Sequence, residues 1–356
     1  DVKSLPRQEI TIEENGVYLI TGGLGGIGLE FARYLSSKKK VHLALLNRSQ
    51  FPDRKNWNQI VKEGREEKQI KKIQILMEIE KSGTSVNCYS IDISDETALK
   101  QVLEQVRRQY GRICGIIHTA GVAGKGFLLN KKEVTFQEVI KPKMNGTWLL
   151  DKLTRQDNLD FFAMFSSIAA IYGGVGQGDY TAGNSYMDAF ASYRNRQGRK
   201  TVAINWPAWK EIGMAVDNQF HQEEKFLTIS TKQAVHGFET ILETPIAQVI
   251  IGTLAKSSEK ETTVVTEEVK MEHLVKLVGK RTGQYTRTEQ QVADIWGKVL
   301  GLTTINVYDN FEKVGGNSIL AVKLLDEIQA EFPNMAEIAD VVDAVAQLIN
   351  AKAAML

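Results

Sequence analysis

The first feature of the sequence with chemical meaning is a glycine-rich turn, which reads TGGLGGIG from Thr21 to Gly28. An apolar run, VYLI, precedes it, and a helical pattern of apolar residues follows it. Glycine is needed in such a turn because a side chain would keep the backbone away from a pyrophosphate, which the free N–H groups of the helix N-terminus can bind. A structural loop is the alternative, but the place after a first strand favours dinucleotide binding. The predicted cofactor contacts are Thr21, Gly22, Gly23, Leu24, Gly25, Gly26, Ile27 and Gly28.

The end of the second predicted strand carries the residues that distinguish two dinucleotides. NAD-binding proteins usually have an acid there for the ribose 2′-hydroxyl, whereas this chain has Asn47, Arg48 and Ser49. Arg48 can pair with a 2′-phosphate and Ser49 can donate a hydrogen bond to it, so the sequence favours NADPH. Asp92 and Ile93 follow the third predicted strand and are placed to meet the adenine. Equally, Asp92 could simply cap the next helix.

Alternating strand and helix patterns must position these residues. Apolar runs bounded by turn residues predict strands at VYLI, VHLALL, VNCYSID, CGIIHTAG and near 160–166 and 201–206. Helical periodicity falls after the glycine-rich turn, at about 95–109, near 134–153 and near 183–197. This alternation predicts an α/β fold with a Rossmann-type doubly wound parallel sheet.

Three segments together resemble the short-chain dehydrogenase/reductases, and in particular the ketoreductase domains of modular polyketide synthases. They are the turn TGGLGGIG, the HTAG segment from His118 to Gly121, and FSSIAAIYGGVGQGDYTAGNSYMDAF. The resemblance extends over about residues 14–254, with the motifs in the family's order. It implies a reductase that takes its hydride from NADPH, with Thr119, Ala120 and Gly121 in a second cofactor turn.

The resemblance also implies which groups protonate the substrate. Hydride transfer to a ketone creates an oxyanion, and free tyrosine, with a pKa of about 10, is too weak an acid without help. By resemblance, Tyr180 donates the proton and Ser167 polarises the carbonyl. The broad superfamily has its lysine four residues after the tyrosine, where this chain has Asn184; the polyketide ketoreductases take it from an earlier Pro-Lys segment, which matches Pro142-Lys143. Lys143 is thus the predicted ammonium that lowers the pKa of Tyr180, and Asn184 takes the exchanged position. Taken singly, these residues could be capping serines, a packed aromatic and a surface lysine.

Other family features are matched less closely. The WPAW segment and the residues up to 226 correspond to a lid over nicotinamide and substrate, with Pro207 where many relatives carry glycine. A Leu-Asp-Asp motif marks one product hand in the family, and residues 123–125 here read Ala-Gly-Lys. The other hand is associated with a tryptophan where this chain has Tyr172, and Gln177 agrees with it. The resemblance therefore favours the L-hydroxy product.

The C-terminal part resembles acyl- and peptidyl-carrier domains through VGGNSILAVKLL, residues 314–325. The resemblance implies 4′-phosphopantetheine on Ser318, at the start of an amphipathic helix whose N-terminus favours a phosphodiester. Asn317 departs from the family's usual Asp or His, and an ordinary helix cap is the alternative role of Ser318. A capping box of Thr288 and Gln291 opens the first predicted helix of a small all-α carrier bundle.

Composition divides the chain into three parts. Residues 1–254 are predicted as the reductase, 255–287 as a linker rich in Lys, Glu, Ser and Thr, and 288–356 as the carrier. The net charge of the chain is +1, but the predicted carrier holds ten acids and four bases, hence −6, which leaves +7 for residues 1–287. The overall balance argues against a nucleic-acid partner, and the division fits a carrier that visits basic partner surfaces. The charged segment 52–83 reads as a solvated helical insertion.

The sequence lacks the signals of several other classes. No apolar run approaches the roughly 18 residues of a membrane span, and the first residues show no secretory pattern. Cys88 and Cys114 are too few for a disulfide framework, and they lack the spacing and histidine partners of a zinc site. We therefore expect no metal and no membrane partner. A reducing cytoplasm is the expected location.

Together these observations predict NADPH-dependent reduction of a ketoacyl thioester, in the first place a β-ketoacyl thioester, carried on phosphopantetheine. The setting would be a polyketide or hybrid polyketide/non-ribosomal peptide synthase, and the other partners a ketosynthase, an acyltransferase and a phosphopantetheinyl transferase. Two alternatives stay open. One is an inactive ketoreductase-like docking scaffold with its carrier, and the other is a stand-alone short-chain reductase of small ketones.

Overall fold

The chain forms two compact units, Asp1–Glu259 and Lys260–Leu356. The structure, a computed structural model, describes residues 11–124, 128, 131–174, 176–217, 226–253, 275–280, 284–309, 314, 320, 324, 327–328 and 331–332.

Seven parallel strands form the sheet of the larger unit, in the order β3-β2-β1-β4-β5-β6-β7. The order reverses between β1 and β4, so the two connections leave in opposite directions and open a crevice at the carboxyl edge of the sheet. The predicted Rossmann-type sheet is confirmed. Its strands are β1 (Val17–Thr21), β2 (His42–Asn47), β3 (Ser85–Ser90), β4 (Ile113–His118), β5 (Phe161–Ser167), β6 (Thr201–Trp206) and β7 (Gln248–Ile250).

Helices connect the strands and cover both faces of the sheet. They are α1 (Gly26–Lys38), α2 (Trp57–Glu63), α3 (Glu67–Lys81), α4 (Glu96–Tyr110), α5 (Glu133–Leu153), α6 (Ala169–Tyr172), α7 (Gly178–Arg196), α8 (Met214–Asp217) and α9 (Thr231–Leu242).

The sheet separates two apolar layers. On one face Phe31 of α1 packs with Phe238 of α9 and Phe165 of β5. On the other face Leu103 of α4 and Met187 of α7, both fully buried, lie in one cluster with residues of β1, β4 and β5. Because both faces of the strands are covered, their sequences are nearly continuous apolar runs. The candidate site residues lie at the carboxyl ends of these strands, where the buried runs end.

The charged segment 52–83 differs from its prediction as a solvated insertion. Its second helix, α3, buries Ile73, Leu76 and Ile79 in the same core as α1, and Trp57 of α2 is 2% exposed. α3 is amphipathic, and the many charges of this segment lie on its outer face. Because the prediction counted charges, it missed the apolar residues on the inner face. The segment therefore contains the crossover helix between β2 and β3.

The smaller unit has its own core, built around Trp296 of α10 (Arg287–Leu300). Two short parallel strands, β8 (Lys276–Val278) and β9 (Thr304–Asn306), pack with this helix, so this unit is not all-α as predicted. Strand β8 lies inside the predicted linker 255–287, which is thus shorter at its C-terminal end. A three-residue strand is too short to give a periodic signal, and for this reason the sequence did not predict it.

The helix α10 begins two residues earlier than predicted. Its capping box joins Thr286 to Glu289, not Thr288 to Gln291. The Glu289 carboxylate also forms an ion pair with Lys280, at 2.5 Å. Gln291, the corresponding residue of the predicted box, has no charge and could not form this ion pair. Both boxes satisfy the sequence rule, and the ion pair favours the earlier one.

Candidate active site

The glycine-rich turn connects β1 to α1 at the carboxyl edge of the sheet, and two of its glycines are required by geometry. Gly22 has φ +66°, and a Cβ there would lie 2.8 Å from Thr119 Oγ1. A Cβ on Gly28 would lie 2.4 Å from the Gly22 carbonyl oxygen. Gly25 caps α1 with no side chain, and the first turn of this helix carries no acid. The open backbone and the free N–H groups therefore fit a pyrophosphate.

The second predicted cofactor turn is tied directly to the first. Thr119 donates its backbone N–H and its hydroxyl to the Thr21 carbonyl oxygen, at 3.1 and 2.7 Å. The Ala120 N–H donates to Thr21 Oγ1 at 3.3 Å. Gly121 lies against Lys143, since a Cβ there would be 3.0 Å from Lys143 Cε. These bonds hold the carboxyl ends of β1 and β4 together beside the predicted lysine.

His118 lies buried behind these turns. Its Nδ1 is 2.6 Å from Thr21 Oγ1. Burial and the neighbouring Lys143 lower its pKa to about 3, so the ring is neutral near pH 7. The buried ring therefore packs and hydrogen-bonds at the carboxyl end of β4.

The residues predicted to distinguish the dinucleotides stand exposed after β2. Arg48 and Ser49 are both exposed, and in the part of the chain that the structure describes Arg48 makes no ion pair. A free guanidinium at this place can bind a phosphate without first breaking a contact. The preference for NADPH stays a prediction.

Asp92 and Ile93 have different environments. The Asp92 carboxylate accepts hydrogen bonds from the Ser94 N–H and hydroxyl, at 2.8 and 2.7 Å. The cap of α4 is Asp95, which accepts from the Ala98 N–H at 3.0 Å, so the alternative role of Asp92 as the helix cap is wrong. Ile93 is 5% exposed and its side chain packs in the core, so its predicted contact with a cofactor would come from its backbone.

Residues of the predicted lid segment contact the glycine-rich turn. A Cβ on Gly26 would lie 3.1 Å from Ile212 Cβ, and one on Gly213, at φ +100°, 3.1 Å from Ile27 Cδ1. Pro207 is buried next to β6. Leu24 is also buried, so its predicted cofactor contact would come from its backbone. Residues 218–225 lie outside the described residues.

Three elements bring the predicted catalytic residues together. Ser167 ends β5, Tyr180 lies in the first turn of α7, and Asn184 follows it one turn later. The Asn184 amide donates to the Tyr180 carbonyl oxygen at 2.7 Å. Lys143 comes from α5, and its Nζ lies 5.6 Å from the centre of the Tyr180 ring. The four residues thus form one cluster although they span 42 positions of sequence.

Burial controls the charges of this cluster. It raises the pKa of Tyr180, while hydrogen bonds from Ser167 and Asn184 lower it. Lys143 was predicted to lower the pKa of Tyr180, but in this structure that pKa is raised, because burial outweighs the hydrogen bonds. Burial also lowers the pKa of Lys143 to about 7, with Asp188 acting in the opposite direction. Tyr180 is therefore neutral near pH 7, and Lys143 is close to its own titration midpoint.

Two polar networks beside the cluster were not predicted. Lys131 forms a buried ion pair with Asp179, whose carboxylate also accepts the Tyr180 N–H at 2.8 Å. Gly124 is close to this carboxylate, because a Cβ there would lie 2.3 Å from Asp179 Oδ1. Asp188 takes part in the second network. Its place four residues after Asn184 in a helix was the one sequence signal that could have indicated it.

The residues associated with product stereochemistry have separate environments. Gly124 leaves room for Asp179, and the Tyr172 ring lies 5.4 Å from that of Phe226. Gln177 is the N-cap of α7, and Lys125 lies outside the described residues. The preference for the L-hydroxy product stays a prediction.

A group of possible metal ligands lies at the amino ends of β4 and β5. Glu13, Cys114 and Asp160 come within 4.8 Å of one another. The Arg112 guanidinium contacts Glu13 at 2.5 Å and Asp160 at 3.4 Å, so a cation already occupies this acidic group. Cys88 and Cys114 are free thiols.

Comparison with known families identifies the larger unit. Residues 16–211, more than half of the chain, match the family model of the KR domain. The chain therefore belongs to the ketoreductase (KR) domain family. Residues 290–349 match the model of the phosphopantetheine attachment site, so a KR domain is followed by a carrier region.

The chain is similar to polyketide synthases. Polyketide synthase PksM of Bacillus subtilis is 34% identical over 248 residues, which are 67% of this chain and 5% of PksM. The 6-methylsalicylic acid synthase of Aspergillus terreus is 34% identical over 221 residues, 62% of this chain and 12% of that protein. The chain thus spans a small part of these relatives.

Solved structures of ketoreductases share the fold. An N-terminal ketoreductase from the macrolactin assembly line is 32% identical, with a TM-score of 0.59 over 70% of this chain and 47% of that one. A ketoreductase domain from the bacillaene assembly line is 31% identical, with a TM-score of 0.57 over 67% of this chain and 55% of that one. The predicted family is confirmed.

Ser318 and Asn317 lie outside the described residues. Ser318 falls inside the matched phosphopantetheine attachment region. Within the described residues, no helix combines the length and the apolar composition that a membrane span requires.

Proposed function

We propose that this chain reduces a ketoacyl thioester with NADPH, the substrate being a β-ketoacyl chain on the phosphopantetheine arm of Ser318. The observation that carries the proposal is the arrangement around Tyr180, with Lys143 beside its ring and Ser167 and Asn184 within hydrogen-bonding reach of its hydroxyl. Ketone reduction needs such a donor, since the oxygen of the product must gain a proton. The product is the hydroxyacyl thioester.

The residues of the chain have separate tasks in this reaction. The glycine-rich turn would hold the dinucleotide, whose nicotinamide would supply the hydride for the carbonyl carbon. Ser167 donates a hydrogen bond to the ketone oxygen, where negative charge develops, and Tyr180 transfers its hydroxyl proton to that oxygen. The Lys143 ammonium stabilises the phenolate that Tyr180 becomes. Asn184 holds the first turn of α7 through its bond to the Tyr180 carbonyl oxygen.

The glycine-rich turn and Arg48 support NADPH as the cofactor. The positions where a Cβ would collide, Gly22 and Gly28, fit the close approach of a pyrophosphate. The exposed Arg48 guanidinium suits the 2′-phosphate that distinguishes NADPH from NADH. The matched carrier region supports a thioester-bound substrate, and a ketosynthase, an acyltransferase and a phosphopantetheinyl transferase are the corresponding partners.

Two measurements test the proposal. NADPH consumption is followed with a panel of β-ketoacyl and α-ketoacyl pantetheine thioesters and with a simple ketone, followed by chiral analysis of the product. We expect turnover of β-ketoacyl thioesters, preference over NADH, and the L-hydroxy product. No turnover with any member would favour the inactive scaffold, and turnover of the simple ketone alone would favour the stand-alone reductase.

The carrier assignment has its own test. The chain is incubated with coenzyme A and a phosphopantetheinyl transferase, and its intact mass is measured. We expect a gain of one phosphopantetheine, absent from Ser318→Ala. A wild-type mass that does not change contradicts the attachment site and leaves the reductase proposal standing.

A further inference from the structure

We propose that the buried ion pair of Lys131 and Asp179 positions Tyr180 for proton transfer. Both members are positioning residues, because they act through the backbone of Tyr180 and do not touch the reacting atoms. The inference rests on the proposed reduction, in which the Tyr180 hydroxyl must reach the ketone oxygen.

The pair lies in the interior of the larger unit. The Lys131 side chain is 3% exposed, the Asp179 side chain is fully buried, and the ammonium donates to Asp179 Oδ2. Removing two charges from water is costly, and well-packed apolar side chains in the same space often stabilise a fold as well as a buried ion pair does. Stability alone therefore does not explain this pair, and its place next to Tyr180 indicates a role in the geometry of the site.

The second oxygen of the carboxylate binds the backbone of Tyr180. Asp179 Oδ1 accepts the Tyr180 N–H at 2.8 Å. Tyr180 lies in the first turn of α7, where N–H groups have no partner inside the helix. A hydrogen bond to an ionised acceptor is roughly twice as strong as a neutral one. One carboxylate thus connects the Lys131 ammonium to the backbone that carries the tyrosine ring.

Asp179 takes the place of an ordinary helix cap. An N-cap side chain usually accepts a hydrogen bond from an N–H of the first turn, but the N-cap of α7, Gln177, accepts none among the described residues. The preceding segment contains Gly173 and Gly176, at φ +73° and +72°, and glycine leaves a backbone free to move. Without the bond to Asp179, this end of the helix would fray and move Tyr180.

The ion pair also connects the two helices of the catalytic cluster. Lys131 directly precedes Lys132, the N-cap of α5, and α5 carries Lys143. Asp179 lies at the start of α7, which carries Tyr180. The Lys143 ammonium is 5.6 Å from the centre of the Tyr180 ring, and this distance depends on how the two helices begin. The pair therefore fixes the segments on which the proton donor and its lysine stand.

A third segment encloses the carboxylate. A Cβ on Gly124 would lie 2.3 Å from Asp179 Oδ1 and 3.1 Å from Tyr180 Cβ. The chain that leaves β4 through the second cofactor turn thus packs directly against both residues. On this side the carboxylate has no room to move, so its bond to the Tyr180 N–H has one geometry.

The predicted polarising serine is held by the second network beside the cluster. Asp188 Oδ2 accepts from Asn205 Nδ2 at 2.8 Å, and Asn205 donates to the Ser167 carbonyl oxygen at 3.0 Å. This network lies at the ends of β5 and β6 and shares no hydrogen bond with Asp179 among the described residues. Loss of the Lys131–Asp179 pair should therefore displace Tyr180 and leave Ser167 in place.

The kinetic test is Lys131→Met. The carboxylate that remains must gain a proton or turn toward the space that the ammonium leaves, and either change weakens its bond to the Tyr180 N–H. Because a displacement of about 1 Å can cost about 10²-fold in rate, kcat with a β-ketoacyl pantetheine thioester should fall about 10- to 100-fold. The KM for the thioester and the affinity for NADPH should stay unchanged, since neither residue contacts them.

The matched control is Arg107→Met. Arg107 of α4 donates to Asp157 Oδ1 at 3.0 Å, and the same carboxylate oxygen accepts the Ile113 N–H at 3.1 Å. This pair also joins a buried carboxylate to a backbone N–H, but it lies at the amino end of β4, opposite to the catalytic cluster. Arg107→Met should lower stability and leave kcat unchanged.

A double variant separates positioning from stability. Lys131→Met combined with Asp179→Asn has no stranded charge, so its stability should recover in part. The Asn side chain is no longer held by an ammonium, and kcat should therefore stay about tenfold below wild type. This variant carries the test if Lys131→Met alone does not fold.

The second readout needs no substrate. The chain is labelled with ¹⁵N-tyrosine, and the Tyr180 amide signal is assigned by its loss in Tyr180→Phe. Exchange of the Tyr180 amide with solvent should be about tenfold faster in Lys131→Met and in the double variant than in wild type, because the bond to the carboxylate is weakened. The amide of Tyr186, further along the same helix, should keep its exchange rate.

Unchanged exchange of the Tyr180 amide in the variants overturns the proposal, and so does a wild-type kcat in Lys131→Met or in the double variant. An equal loss of kcat in Arg107→Met overturns it too, because destabilisation alone would then explain the effect. A chain in which Tyr180 exchange responds as expected but no ketoacyl thioester is reduced would contradict the proposed function and not the hold of the pair on Tyr180.

Discussion

The glycine-rich turn and the cluster around Tyr180 depend on different features of the chain. The turn is made of eight consecutive residues, and what it requires is the absence of side chains where backbone atoms approach within 3 Å. The cluster is made of side chains from β5, α5 and α7, two of which are titratable and buried in a low-dielectric interior. A local feature can therefore be recognised from its own residues, whereas a buried charge depends on everything that surrounds it.

The largest effect is expected in the cluster, from Tyr180→Phe. This change removes the proton donor and keeps the ring, so the rate constant of reduction should fall by about 10²- to 10⁴-fold with little change in NADPH affinity. Steady-state rates and a fluorescence titration of NADPH measure the two effects. The matched control is Tyr193→Phe, an exposed tyrosine in the same helix. Unchanged turnover in Tyr180→Phe would show that the Tyr180 hydroxyl does not take part in the reaction.

A large loss of stability is expected when a buried charge of the neighbouring network loses its partner. Lys131→Met leaves Asp179 buried and unpaired, which should cost about 3–5 kcal/mol of unfolding free energy. Denaturant unfolding measures it. Adding Asp179→Asn to the same chain should recover part of the loss, because the stranded charge is gone. Equal stability of Lys131→Met and wild type would contradict a buried ion pair.

The pH dependence of the wild type should follow Lys143. Its folded pKa is lowered to about 7, so the ammonium is present below that pH and is lost as the pH rises through it. Because the reaction needs the ammonium, kcat/KM should fall about tenfold for each pH unit above the midpoint. A pH series of rates measures this decline. A rate that stays level to about pH 9 would mean that the free chain keeps Lys143 charged by other means.

A smaller effect is expected in the turn, from Gly22→Ala. The residue must keep φ +66° and place a Cβ 2.8 Å from Thr119 Oγ1, so NADPH affinity should fall about tenfold. Gly64→Ala is the control, because Gly64 has φ +70° and nothing within 4 Å of the added Cβ. It carries the same backbone strain without the collision and should bind NADPH normally. Equal binding by both variants would mean that the close approach is unimportant.

The smallest effect is expected from Arg48→Ala. Arg48 is exposed, and a solvent-exposed charge contributes modestly, so the KM for NADPH should rise about fivefold while that for NADH stays unchanged. Arg65→Ala removes another exposed arginine and should alter neither KM. A parallel rise for both cofactors in Arg48→Ala would show that Arg48 does not recognise the 2′-phosphate.

The elements of the larger unit were predictable because each carries its own pattern. The strands near 160–166 and 201–206 and the helix near 134–153 appear within a few residues of their predicted bounds. The predictions failed where local signals were equivalent or concealed. The capping box had two candidates that satisfy the same rule, and the charges of α3 concealed its buried stripe.

The amino-acid sequence by itself determined the parallel sheet, the glycine-rich turn and the family, because these depend on periodicity and on contiguous residues. Only the tertiary structure decided which charges face one another. It brought the Lys143 ammonium to the Tyr180 ring and buried Lys131 with Asp179. The physical reason is that a pKa depends on burial and on neighbours distant in sequence, which no local pattern of residues encodes.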